Sequence, residues 1–182
     1  MKKIIGLFLL LALPMLATAA NYEEGKHYTV VSDKASKKPE VREFFSFYCP
    51  HCFSFEPFMA DIKKELPSDV SFERSHVDFL RMASPEIQFM LTKGLVVAKQ
   101  LNMEDKLVGA MFNYVQVQRA TFSSEKDLRN LFVLNGVDGA EFDKRMKSFS
   151  VNSQAKAMKK TQDYFSRRGA LKGVPAVFIN GK

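Results

Sequence analysis

Cysteine and histidine are scarce in this chain of 182 residues: Cys49 and Cys52 are its only cysteines, and His27, His51 and His76 its only histidines. One pair of thiols leaves room for no second disulfide. A bond between residues three apart also closes so small a ring that it removes little chain entropy, which makes a structural staple a poor explanation of the pair. A closed zinc site needs about four ligands, and beyond the pair only the three separated histidines are on offer. A block of like charge is also missing. The 27 Lys and Arg and 20 Asp and Glu leave a net charge of +7 spread along the chain, without the basic–aromatic stripe that binding nucleic acid requires. Such a balance reads as ordinary solubility with a weak bias towards anionic surfaces. The N-terminal apolar run, Ile4 to Leu16, is shorter than the roughly 20 residues of a membrane span.

What is present begins with that run. Met1-Lys2-Lys3, the apolar stretch and Ala17-Thr18-Ala19 have the three parts of a secretory signal peptide, with cleavage expected near Ala19 or Ala20. Export predicts an oxidising compartment, where a cysteine pair can stay bonded. Removal of Lys2 and Lys3 with the signal takes the net charge from +7 to +5. With 46% hydrophobic residues, 17 of them Phe, the rest is enough for a real core.

The chain is organised around Glu43 to Phe58, where the strand-like run Glu43-Phe44-Phe45-Ser46-Phe47-Tyr48 breaks into Cys49-Pro50-His51-Cys52. Proline suits a first helical turn, so Cys49 is expected at a helix N-terminus and Cys52 one turn further in and more buried. Unpaired N–H groups and the positive end of the helix dipole favour a thiolate there, so the pKa of Cys49 is expected to fall. His51 can add a donor, or a charge when protonated, beside the Cys49 sulfur; the alternative is a solvated loop histidine. A stabilised dithiol makes its disulfide an oxidant. Glu43 sits among apolar residues, where a carboxylate costs several kcal/mol unless paired or protonated, and could accept a proton during disulfide exchange. Facing solvent from an edge strand is its alternative. His76 reads as structural, at the end of a strand.

Residues 43–52, together with Gly173-Val174-Pro175-Ala176-Val177-Phe178-Ile179-Asn180-Gly181-Lys182, resemble the DsbA family of periplasmic thiol:disulfide oxidoreductases, and the similarity runs from about Asn21 to the last residue. The resemblance implies an α/β, thioredoxin-like fold with an inserted all-helical domain. It divides the chain into a signal peptide (1–19), a thioredoxin-like domain (20–80 and 170–182) and the helical insert (81–169). It implies catalytic roles for Cys49, Pro50, His51 and Cys52, and a charge network in which Glu43 lies under the site with Glu56 and Arg74 paired nearby. Pro175 is expected to be cis and to face the disulfide, leaving the Val174 backbone free to pair with an extended substrate peptide; from the residues alone, an ordinary trans proline at a strand start is as good a reading. The activity implied is donation of the Cys49–Cys52 disulfide to newly exported proteins, without metal or organic cofactor, by a monomer that a quinone-linked membrane partner of the DsbB type reoxidises. A reductase or isomerase on the same fold, or a peptide-binding module whose cysteines only brace a groove, are the competing readings.

Strands are expected at about 27–31, 41–47, 70–80 and 174–179, the second and third pairing in parallel across the helix that Cys49 opens, which Pro57 kinks and Pro67 ends. Helical punctuation places further helices at about 85–101, 104–118, 125–134, 139–149 and 153–168. Their Met and Phe residues read as internal packing, with a Met-lined binding surface as the alternative. Asn180-Gly181 is a strong hairpin signal, which makes a returning strand, and so a continuation of the chain, the expectation.

Overall fold

The computed structural model describes residues 22–32 and 34–182. The expected signal peptide lies outside the described residues. Residues 22–30 belong to a unit of their own. There the chain reverses at Gly25 (φ 81°), whose N–H donates to the Tyr28 carbonyl at 2.7 Å, and Glu24 and Tyr28 form an isolated bridge. The strand expected at 27–31 does not form: every residue from Tyr22 to Val30 is exposed, and a strand with no face to bury is not stable.

The second unit spans 31–182. Its sheet has three strands: β1 (Glu40–Phe45) lies between β2 (Ser71–His76), parallel to it, and β3 (Ala176–Ile179), antiparallel. Successive side chains of a strand point to opposite faces, and β1 uses both. Phe45 enters a large core shared with the helices, while Phe44 enters a smaller one with Val77, Phe165, Leu171 and Phe178. Both Phe residues are fully buried, a burial that stabilises by about 1.5–3 kcal/mol each. β2 is shorter than the expected 70–80: Val77 N–H still donates to the Phe45 carbonyl at 2.8 Å, and the chain then leaves the sheet. After β3, Asn180 (φ 53°) and Gly181 (φ 68°) turn the chain, closed by Lys182 N–H to the Ile179 carbonyl at 3.0 Å. Two consecutive positive φ values are what Asn-Gly supplies best.

Helix α1 (Pro50–Glu65) joins β1 to β2 and runs unbroken through Pro57. Only Cys52 and Met59 of it are buried. Phe53 and Phe58 are exposed, so the phenylalanines of α1 are a partly open surface rather than core. Between β2 and β3 lie α2 (Pro85–Gln100), α3 (Glu104–Phe112), α4 (Glu125–Leu134), α5 (Gly139–Lys147) and α6 (Phe149–Arg167). Met90, Leu95, Met111, Phe112, Leu128, Phe132 and Met146 are buried together, and Leu101 and Met103 pack against them. These methionines are core, which removes the Met-lined binding surface. Two helix boundaries differ from the sequence reading by more than two residues. The helix expected at 104–118 stops at Phe112 and continues as a π-helical turn, Asn113–Val117. The last helix begins at Phe149 because the Ser148 hydroxyl accepts the Val151 N–H at 3.2 Å.

Candidate active site

The end of β1 and the start of α1 are joined by a turn, Ser46–Cys49, tied mainly by its own groups. Cys49 N–H donates to the Ser46 carbonyl at 3.0 Å and Tyr48 N–H to Ser46 Oγ at 3.2 Å. This sets Cys49 at the N-cap of α1, with Pro50 in the first helical position, where no amide donor is needed. Cys52 N–H then donates to Cys49 Sγ at 3.1 Å. The first sulfur therefore occupies the acceptor position that serine or aspartate fills at other helix starts, and a negative charge there meets both the N–H and the helix dipole. Cys49 is 6% exposed and Cys52 0%, and both are free thiols. Burial, with the hydrogen bond its thiol makes to Cys49, pushes the Cys52 thiol far up.

The other wall of the site comes from the far end of the chain. The Val174–Pro175 peptide is cis, and the Val174 carbonyl lies 3.4 Å from Cys49 Sγ, within reach of the thiol proton. His51, second in α1, is exposed. It sits beside the two sulfurs in sequence but is not enclosed with them.

Beneath the turn, Glu43 is fully buried on the central strand, which overturns the solvent-facing alternative: β1 is flanked on both edges. The parallel register sets Arg74 of β2 opposite it, and Arg74 Nε donates to Glu43 Oε2 at 3.0 Å. The rest of the guanidinium forks onto Glu56 of α1, Nη1 to Oε2 at 3.1 Å and Nη2 to Oε1. Arg74 also lies 4.6 Å over the Phe45 ring. Glu43 Oε1 finds no hydrogen-bond partner among the described residues. Burial raises the Glu43 carboxyl from 4.5 to about 7, against the opposing pull of Arg74. One cation between two acids leaves the buried acid poised near neutrality rather than firmly ionised. The sequence brings Glu43, Glu56 and Arg74 into one network; it does not bring His51 into it.

Two residues around the turn, Ser46 and Gln116, carry no sequence signal. Ser46 caps it, and Gln116 Nε2 donates to the Phe47 carbonyl at 2.7 Å. His76, at the end of β2, is stacked on Phe47 with ring centroids 5.0 Å apart. Its Nδ1 meets Thr92 Oγ1 at 2.9 Å, and Thr92 in turn donates to the Gln88 carbonyl at 3.1 Å, which makes Nδ1 the ring's donor. Burial pushes this imidazole down to about 3.

A strand–turn–helix that sets a Cys-x-x-Cys pair at a helix start, faced by a cis-proline loop, defines a thioredoxin-like thiol:disulfide oxidoreductase. A family profile described as a DSBA-like thioredoxin domain matches residues 40–182. The chain belongs to the DsbA family. It is 38% identical over 185 residues to the thiol:disulfide interchange protein DsbA of Escherichia coli K12, and 39% to that of Pectobacterium carotovorum. Each comparison covers all of this chain and 85% of the relative. Among solved structures it resembles Proteus mirabilis DsbA carrying a cysteine-to-serine change and a non-covalently bound peptide. That likeness has a TM-score of 0.78 and 34% identity, over 90% of this chain and 84% of that one. It also resembles Klebsiella pneumoniae DsbA, with a TM-score of 0.75 and 26% identity, over 90% of this chain and 84% of that one. The redox group of such a protein is a disulfide of its own cysteines, and Cys49 and Cys52 are the only two here.

Proposed function

We propose that the protein is a disulfide oxidase acting on exported, unfolded polypeptides through Cys49. A substrate thiolate attacks the Cys49 sulfur of the oxidised pair. The Cys49–Cys52 bond breaks, a substrate–Cys49 bond forms, and Cys52 leaves as a thiolate. Cys52 takes up a proton readily because its buried site disfavours the anion, and Glu43, a carboxyl near neutrality in the core below, is suited to give that proton. A second substrate thiolate then attacks its own sulfur in the mixed disulfide, and Cys49 departs as a thiolate held by the Cys52 N–H. The substrate loses two electrons and the enzyme pair gains them.

The observation that carries this direction is the 3.1 Å bond from the Cys52 N–H to Cys49 Sγ. It favours the form in which Cys49 is a free anion over the form in which it is bonded, so the disulfide gives way to reduction. Val174 offers its backbone beside that sulfur to an extended substrate strand, with Pro175 shaping the loop. His51, exposed next to Pro50, adds positive charge when protonated. Reoxidation falls to a quinone-linked membrane partner of the DsbB type. The working place is the periplasm, reached through the segment 1–19. Of the expected redox domain, 20–80 with 170–182, the part within the second unit begins at residue 31, and 81–169 is the helical domain.

The test is transfer of the bond itself. Oxidised protein mixed with a reduced dithiol peptide is expected to pass on about one disulfide per chain, as the balance above requires, with transfer abolished in Cys49→Ser. Peptide oxidation undiminished in Cys49→Ser, or none with the wild type, contradicts the proposal.

A further inference from the structure

The helical region reaches the redox turn at Gln116. Helix α3 ends at Phe112, the chain widens into the π-helical turn Asn113–Val117, and Arg119 then takes a left-handed conformation (φ 58°) as Ala120 N–H closes on the Tyr114 carbonyl at 3.0 Å. Pi turns are rare and recur at functional sites, and non-glycine residues with positive φ are uncommon. The departure from α geometry has a local result: Gln116 Nε2 donates to the Phe47 carbonyl at 2.7 Å. The other bonds holding Tyr48 and Cys49 N–H come from Ser46, inside the turn. Gln116 supplies a side-chain donor from outside the strand–helix segment. Phe112 adds contacts on both sides of the cysteine pair, with ring centroids 5.1 Å from Phe47 and 5.8 Å from Phe53.

We propose that Gln116 is a positioning residue for the redox pair. By holding the Phe47 carbonyl it fixes the peptides that follow, and with them the N-cap geometry in which the Cys52 N–H meets Cys49 Sγ. A hydrogen bond weakens steeply as its angle closes, so a turn that can tilt loses that contact first. The contact is stronger to a Cys49 thiolate than to a sulfur bonded in a disulfide, because an ionised acceptor makes the stronger hydrogen bond. Loss of Gln116 therefore weakens the reduced protein more than the oxidised one and makes the disulfide a poorer oxidant. The inference rests on the reading of Cys49–Cys52 as an oxidising pair.

The test equilibrates full-length protein with glutathione: enzyme dithiol plus glutathione disulfide against enzyme disulfide plus two glutathione, read by thiol trapping. In Gln116→Leu the balance is expected to move towards the enzyme disulfide by about three- to tenfold, the span of one hydrogen bond. Urea midpoints of the two forms should fall unequally, the reduced form more. Gln116→Lys, which keeps an N–H donor of similar reach, should stay within about twofold of the wild type. Should Gln116→Leu not fold, Gln116→Asn, one methylene short of Phe47, replaces it with the same expectation. A Leu or Asn variant with an unmoved equilibrium overturns the role, as do equal losses in both redox forms or a Lys variant displaced as far as Leu. The wild type in the same buffer separates the failures. If it stays oxidised there, the oxidase reading itself falls and takes this inference with it. If it is reduced and the variants match it, only the role of Gln116 falls.

Discussion

Two buried residues give the protein opposing pH responses. Glu43 binds its proton more tightly folded than unfolded, about 7 against 4.5, so as pH rises through that window the folded state loses ground. His76 behaves the other way: its folded value is near 3 against 6.5, so the unfolded chain takes up a proton that the folded ring refuses, and stability falls as pH drops from 6.5 towards 3. Between 4.5 and 6.5 the two slopes oppose each other. Glu43→Gln is therefore expected to gain stability relative to wild type as pH rises from 4.5 to 7, and His76→Gln to gain it as pH falls from 6.5 to 3, each followed as a urea midpoint against pH. Variant curves parallel to the wild type would contradict the assignment. At this scale the sequence was half legible. A carboxylate in an apolar run announced something unusual at Glu43, but its burial depended on which strand became central, and that is fixed by β3 from the other end of the chain. Gln116 was invisible, because a glutamine between Val115 and Val117 in a helical stretch looks like any helix surface.

Elements were legible where local chemistry alone sets their ends. Ser84-Pro85 caps and starts α2, the Ser84 hydroxyl accepting the Ile87 N–H at 3.3 Å, and Asp138 caps α5 by accepting the Glu141 N–H at 2.8 Å. The start of α6 was misplaced because Val151, at the third helical position, replaces the Glu or Gln that completes a recognisable capping box. The Ser148 cap is nonetheless formed, and Ser148→Ala is expected to lower stability by about 1 kcal/mol in urea unfolding. A midpoint unchanged from wild type would mean that the first turn of α6 is held by its packing alone. The π-helical turn had no compositional mark, since its five residues suit an α-helix as well. The open face of α1 has no mark in the sequence for a related reason. Periodicity says which residues share a face, not whether anything covers it, and here Phe53 and Phe58 are left open.

For the chain as a whole, the parts converge on one thermodynamic statement: the fold prefers its cysteines apart. The N-cap bond favours Cys49 as an anion over Cys49 in a disulfide, and burial favours Cys52 as a thiol. A disulfide that oxidises its substrates must belong to a protein more stable reduced than oxidised, because the two differences close one cycle. The fold class was readable from two short stretches, residues 43–52 and 173–182, because together they resemble the DsbA family; how the intervening helices grip the site was not. The most direct test is equilibration of the wild type with glutathione. The Cys49–Cys52 bond is expected to be reduced in a buffer that leaves structural disulfides, with potentials below about −300 mV, intact. A pair that remains bonded in that buffer would contradict this expectation.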